Sequence, residues 1–472
     1  MIVACLLLGL FGVWMTSVPL LASPDEPANF VKGAAVMRGE FVGEQVAPEQ
    51  LKSYWTTIVD IDPQFGSVNG LPWCFAPYPE KNACTYEVAT SPQVDGVAWT
   101  NMGRYPPLGF VLTGLGTVFG PTNTSLYAGR AIQALACVVG LLCALEMLSR
   151  RRRSLVGIVV ALTPGTVFLA STSSPSGLEI VAAIVMWVAC PAILDGQSQR
   201  LDRAAYLVSG VFLIATRPLG ALFYLTVLAA CAVVGKFPPR VVATRLGRTT
   251  LAVHLSTIAF MVWWYVAYFG PATRVPIDFG DVPLALSVRL ESIVRGLPRI
   301  VEQYVGNYGW LDAPTPTVGV VLSLVAVCVV AFRGVSLHRP LVWVVCAALV
   351  VGSAAFTVVS DLNYYEILRT YGSQGRHVAP LLVGVPLLLA TNVARSARTM
   401  VFVATLTVVV SVWSFAVMIR RYSVGVVPGN VREMWRDPPW VPPLGMTTTL
   451  VAFALVSIGF ATVTWAIESE RL

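Results

Sequence analysis

Residues 19–40 read Pro19-Leu-Leu-Ala-Ser-Pro-Asp-Glu-Pro-Ala-Asn-Phe-Val-Lys-Gly-Ala-Ala-Val-Met-Arg-Gly-Glu40. They follow an apolar run at 1–21 directly, so the acidic pair Asp25 and Glu26 falls where a first membrane span leaves the bilayer. Ser23 and Glu26 have capping-box spacing, and Pro24 or Pro27 suits a first helical turn. Ala28–Arg38 then reads as a short amphipathic helix ended by Gly39. Two readings of the acids stay open. They can simply cap that helix and favour its positive end, or they can hold a catalytic carboxylate at the membrane surface.

The composition places this stretch in a membrane protein. The chain is 56% hydrophobic and 12% charged, and its mean hydropathy is +0.71. Soluble domains carry about 25% charged residues. The net charge of +7 is dispersed or sits beside apolar runs, without the aromatic-studded basic groove of a nucleic-acid binder, so nucleic acid is excluded as a partner. Met1–Leu21 has a signal peptide's length but no basic start, and it reads as a retained span.

Crossing a hydrocarbon core of about 30 Å takes roughly 20 apolar residues. Such runs lie near 1–21, 124–148, 154–171, 177–194, 204–216, 219–235, 249–269, 316–332, 340–359, 377–393, 399–418 and 446–466. The expected fold is therefore an all-α polytopic membrane protein of about twelve spans, one integral membrane domain over 1–472. Pro106–Phe119 is too short to cross and reads as re-entrant or interfacial. Val282–Tyr304 has apolar residues at helical spacing with Arg289, Glu291, Arg295 and Arg299 between them, which predicts an interfacial helix.

Short basic loops set the orientation. Arg150–Arg153, then Lys236, Arg240, Arg245 and Arg248, then Arg333 and Arg339, then Arg395 and Arg398 all fall on one side. The positive-inside rule makes that side, and both termini, cytoplasmic. The first extracytoplasmic loop, 22–123 with its interfacial segment, and a second, 270–315, then face outward. Of nine cysteines only Cys74 and Cys84 share a polar loop; the rest lie in or beside spans. In an oxidising compartment that pair is expected to form a disulfide. No internal repeat is visible, which weighs against a secondary transporter.

No Walker A, dinucleotide-binding or zincin motif occurs, and three histidines make a His-based triad or metal centre improbable. What remains is carboxylates and arginines along one outer face. Asn101-Met-Gly-Arg104-Tyr105-Pro-Pro-Leu108 enters the interfacial segment. Tyr371-Gly-Ser-Gln374-Gly-Arg376-His377 opens the tenth span, and Asn307-Tyr-Gly-Trp310-Leu-Asp312 precedes the eighth. Arg376 can fork onto a phosphate; a snorkelling arginine is its bland counterpart. Trp310 and Tyr105 also suit a membrane belt, and Asp312 a helix start. Arg217 and the run Ser171–Glu179 mark further outer turns.

In series, Pro24-Asp-Glu-Pro-Ala-Asn-Phe30, Tyr105-Pro-Pro-Leu108, Gly309-Trp-Leu-Asp312 and Gln374-Gly-Arg-His377 resemble the bacterial membrane-protein family catalogued as domain of unknown function 2142. Asn29 stands where that family commonly has His, and His377 where it has Tyr. The family is similar to the C-type glycosyltransferases, which use lipid-phosphate sugars and carry a carboxylate in the first outer loop. The resemblance implies a glycosyltransferase of the bacterial plasma membrane. Its donor would be a polyprenyl-phosphate sugar, and its acceptor an envelope glycan or glycolipid.

On that reading Asp25 is the base, with Glu26 as alternate or orienting partner. Arg376, and secondarily Arg104 and Arg217, bind the donor phosphate. Asn29, Tyr105, Trp310, Asp312, Gln374 and His377 contact substrate. A divalent cation could assist, but no metal-ligand set is legible. The alternative is a transporter or flippase of lipid-linked glycans that does no chemistry.

Overall fold

A computed structural model describes residues 1–46, 55–93, 96–235, 245–270, 283–334, 339–390, 397–426 and 432–470. Lys236, Arg240 and Arg395, three of the residues that set the expected orientation, lie outside them, as does the end of the expected span 377–393.

Among the described residues seven helices are long and apolar enough to cross a membrane: Asn123–Arg150, Pro175–Leu194, Gly247–Phe269, Thr317–Gly334, Pro340–Leu368, Ala397–Val424 and Met446–Ser469. Ile2–Ser17 and Gly220–Gly235 are apolar but shorter. The other expected spans differ in form. The run at 154–171 is two short helices, Val156–Ala161 and Pro164–Ala170. Pro164 cannot donate to a continuing ladder, and Thr163 Oγ1 accepts the Thr166 amide at 3.2 Å, capping a new start. The run from 377 is likewise divided, into Gly375–Leu382 and Gly384–Leu389, with Pro380 and Pro386 inside them. The expected span 204–216 is Arg200–Ala215, whose first turn carries Asp202 and Arg203.

Both stretches expected to lie at the interface are helical. Leu108–Leu115 is a short apolar helix continued by a 3-10 turn, and Leu286–Gly306 is a helix buried only at Ile293, Val305 and Gly306. The chain is not all helix. Glu44–Gln45, Thr57–Val59 and Ala98–Thr100 form a three-stranded antiparallel sheet, with Thr57 opposite Thr100.

The apolar core is centred on Trp14 of the first helix, fully buried among Phe168, Tyr308, Phe415 and Phe453 at centroid distances of 5.9, 5.3, 5.0 and 5.8 Å. These rings come from far-apart stretches, so one side chain ties the first helix, the broken segment and the last two long helices together. Each tilted or edge-on pair adds about 0.5–1.5 kcal/mol beyond the area it buries.

The segment between Ile2–Ser17 and Asn123–Arg150 is tied together at two points and to the bundle at a third. Thr100 Oγ1 donates to Ala28 O at 2.9 Å, joining the small sheet to helix Glu26–Met37. Lys32, fully buried, donates to Phe41 O and Gly103 O at 2.6 and 2.7 Å. Cys74 and Cys84 form the expected disulfide, with Cα atoms 6.5 Å apart. The loop they close is gripped by buried Arg421, which donates to Phe75 O at 3.1 Å and to Lys81 O at 2.5 Å.

Candidate functional site

The turn that ends the first helix delivers Asp25 in an unusual backbone state. Its φ is +62°, a left-handed conformation that non-glycine residues adopt at a cost and that clusters at functional sites. Asp25 stands at the N-cap of Glu26–Met37, but its carboxylate makes no capping hydrogen bond. It reaches instead across 351 residues of sequence to Arg376, whose Nη2 donates to Oδ2 at 2.5 Å. The expected capping box survives only as a long contact from the Ser23 amide to Glu26 Oε2, at 3.4 Å.

Asp25 and Arg376 line a single cleft with Asn29, Tyr105, Ser176 and Arg217. Asn29 lies one helical turn beyond Asp25 and is fixed by its Nδ2 donating to Ser173 O at 2.8 Å. Arg217 Nη1 donates to Ser176 Oγ at 3.0 Å and stands 3.9 Å from the buried Glu179 carboxylate. Tyr105 is wedged edge-on against Phe269 and Phe110, with centroids 4.9 and 6.5 Å away. Burial pushes its phenol above the usual range, so at neutral pH the hydroxyl remains a proton donor. Arg376 is 8% exposed, and its Nε has no acceptor. The cleft therefore presents one carboxylate with two guanidinium groups, one of which holds an unused donor.

The other expected site residues separate from this group. Glu26 does not line the cleft. It is fully buried and takes Arg130 Nε and Nη2 at 2.6 and 2.7 Å, with the Ser173 amide at 3.1 Å. Arg130 also donates to the Met15, Val18 and Pro19 carbonyls, at 3.1, 2.7 and 2.8 Å. That pair braces the turn that presents Asp25. Asp312 and Trp310 do not line the cleft either. Asp312 accepts Arg421 Nε at 2.7 Å, and burial outweighs that arginine and raises its carboxyl. Trp310 packs against the core. Gln374 and His377 build the turn under Arg376, the Gln374 amide donating to His377 Nδ1 at 3.3 Å. Arg104 lies beside the cleft wall, its carbonyl accepting Trp264 Nε1 at 2.9 Å.

Three buried cations brace the segments around the site or beyond it: Arg130 and Lys32 near the cleft, and Arg421 at the disulfide loop. An arginine inside the apolar stretch of a 28-residue helix is a sequence signal for Arg130, since such a charge needs a buried partner. Lys32 and Arg421 bind backbone carbonyls, which no side-chain pattern announces. Among the described residues no three His, Cys, Asp or Glu side chains gather as metal ligands.

The chain is similar to two crystal structures of ArnT from Cupriavidus metallidurans. The one bound to undecaprenyl phosphate has 13% identity over 97% of this chain and 76% of that one, with a TM-score of 0.45. The apo form has 13% identity over 97% and 75%, with a TM-score of 0.39. No curated protein matches in sequence. The family model described as "Predicted membrane protein (DUF2142)" matches residues 8–385, and the chain belongs to that family.

Proposed function

We propose that the protein is an inverting glycosyltransferase that moves a sugar from a polyprenyl-phosphate donor to an envelope glycan or glycolipid. The observation that carries this reading is the cleft in which Asp25 is held by Arg376 beside Arg217. In the resting site Arg376 neutralises Asp25. A donor phosphate competes for the same guanidinium, takes up its free Nε, and releases the carboxylate to act as base. The acceptor oxygen then bonds to the anomeric carbon, and its proton passes to Asp25. The carbon–oxygen bond to phosphate breaks, its electron pair leaving on the polyprenyl phosphate. Arg376 and Arg217 stabilise that charge in a site partly shielded from water. Phosphate is a good leaving group, so no strong general acid is required.

Tyr105 and Asn29 are assigned to sugar or phosphate contacts, and Arg104 to a secondary place at the wall. Glu26, Gln374 and His377 are positioning residues. The chain is read as one membrane domain crossing twelve times. The seven long helices supply seven passes; Ile2–Ser17, the broken pair 156–170, Arg200–Ala215, Gly220–Gly235 and the broken pair 375–389 supply five. The cleft then faces outward from a bacterial plasma membrane, with both termini cytoplasmic.

The test is binding. Purified protein titrated with a polyprenyl phosphate should show saturable affinity, reduced at least tenfold in Arg376→Gln. Equal binding by a folded Arg376→Gln contradicts the donor site.

A further inference from the structure

A second pair of arginines lies outside the cleft. Arg289 sits in the first turn of Leu286–Gly306, and Arg369 ends Pro340–Leu368 in a left-handed conformation, φ +56°. Both converge on Tyr365, their guanidinium carbons 5.3 and 5.8 Å from the ring centroid. Tyr371 stacks on the same residue, with centroids 5.6 Å apart and planes 30° apart, and is exposed.

The cations are incompletely satisfied. Glu366 bonds Arg289 and stands 3.9 Å from Arg369, but it is itself 57% exposed. The nearby Asp361 spends its Oδ1 on the Gly372 and Ser373 amides, at 3.0 and 2.7 Å. Arg289 Nε, Arg369 Nε and Arg369 Nη1 are buried without an acceptor. Buried donors left unpaired are rare and call for a partner. Guanidinium forks favour phosphate oxygens. Leu284, Leu286 and Val288 are exposed around Arg289, the apolar flank that a helix lying in a bilayer interface presents to lipid.

We propose that Arg289 and Arg369, backed by the Tyr365–Tyr371 stack, bind the phosphate of an anionic lipid headgroup. The site is independent of the reaction proposed above. The short loop 370–374 joins it to the helix of Arg376, so an occupant anchors the segment that enters the cleft.

Delipidated full-length protein would be titrated in detergent with phosphatidylglycerol, phosphatidylcholine or inorganic phosphate, and bound lipid counted by native mass spectrometry. Phosphatidylglycerol should bind at least tenfold tighter than phosphatidylcholine. The double variant Arg289→Gln/Arg369→Gln should erase that preference, whereas Arg376→Gln keeps it. Tyr371→Ala, at an exposed ring, should weaken phosphatidylglycerol at least threefold and serves if the double variant does not fold. Equal binding of the two lipids, an unchanged preference in the folded double variant or in Tyr371→Ala, or loss of the preference in Arg376→Gln would overturn the site. Inorganic phosphate binding as tightly as phosphatidylglycerol would overturn its assignment to a lipid.

Discussion

Asp25 and Glu26 are neighbours in sequence with different partners. Glu26 is sealed against Arg130, and a buried ion pair that loses one member leaves an uncompensated charge, costing about 3–5 kcal/mol. Arg130→Met also strands three carbonyls. It is therefore expected to lower the thermal midpoint in detergent more than Glu26→Gln does; equal losses would contradict that division of labour.

Lys32 offers a pH test at the same scale. Burial, opposed by Glu40 and aided by Arg104, lowers its ammonium from 10.5 to about 7. Unfolded lysine keeps its proton to about 10.4. Between about 7 and 10 the unfolded chain therefore binds more protons, and stability rises with pH; below about 7 this contribution levels off at its least favourable value. Lys32→Met should flatten the rise in thermal midpoint between pH 7 and 9.5. A rise of wild-type size in the variant would sink the assignment.

At the level of elements, the cleft depends on how closely two of them cross. A Cβ on Gly375 would lie 2.3 Å from the Tyr304 amide nitrogen, backbone that cannot step aside. Gly375→Ala should push the helix of Arg376 off Leu286–Gly306 and weaken polyprenyl-phosphate binding together with stability. Unchanged binding would show that the crossing does not place Arg376. The disulfide loop lies apart from the cleft, held by Arg421. Reducing Cys74–Cys84 should remove about 2–3 kcal/mol of stability, read as a lower thermal midpoint. A midpoint unmoved by reductant contradicts that.

Elements also mark where the sequence was legible. Unbroken apolar runs announce the long helices, a short apolar run announces Leu108–Leu115, and a basic-apolar stretch announces Leu286–Gly306. The breaks at 162–164 and 383 were not called, although Pro164, Pro380 and Pro386 stand in those runs. A hydropathy window averages over a proline and records composition without the ladder's interruption.

For the molecule as a whole, the candidate site is assembled from residues 25, 29, 105, 176, 217 and 376. All of them lay in stretches that stood out as polar at the edges of apolar runs, and that is why they could be named. Which of those stretches meet could not be read, because contacts across hundreds of residues leave no local pattern. Asp312 and Trp310 read as substrate contacts in sequence, yet the fold gives Asp312 to Arg421 and Trp310 to the core.

The central claim is that Asp25, freed from Arg376 by a donor phosphate, is the base for glycosyl transfer. The most direct measurement is transfer of label from a polyprenyl-phosphate sugar to an envelope acceptor extract by the protein in liposomes, comparing wild type with Asp25→Asn. The account predicts labelled acceptor from the wild type. For Asp25→Asn it predicts none, with the thermal midpoint and polyprenyl-phosphate binding kept. A folded Asp25→Asn that labels the acceptor at the wild-type rate, or a wild type that only moves label between leaflets, would contradict it.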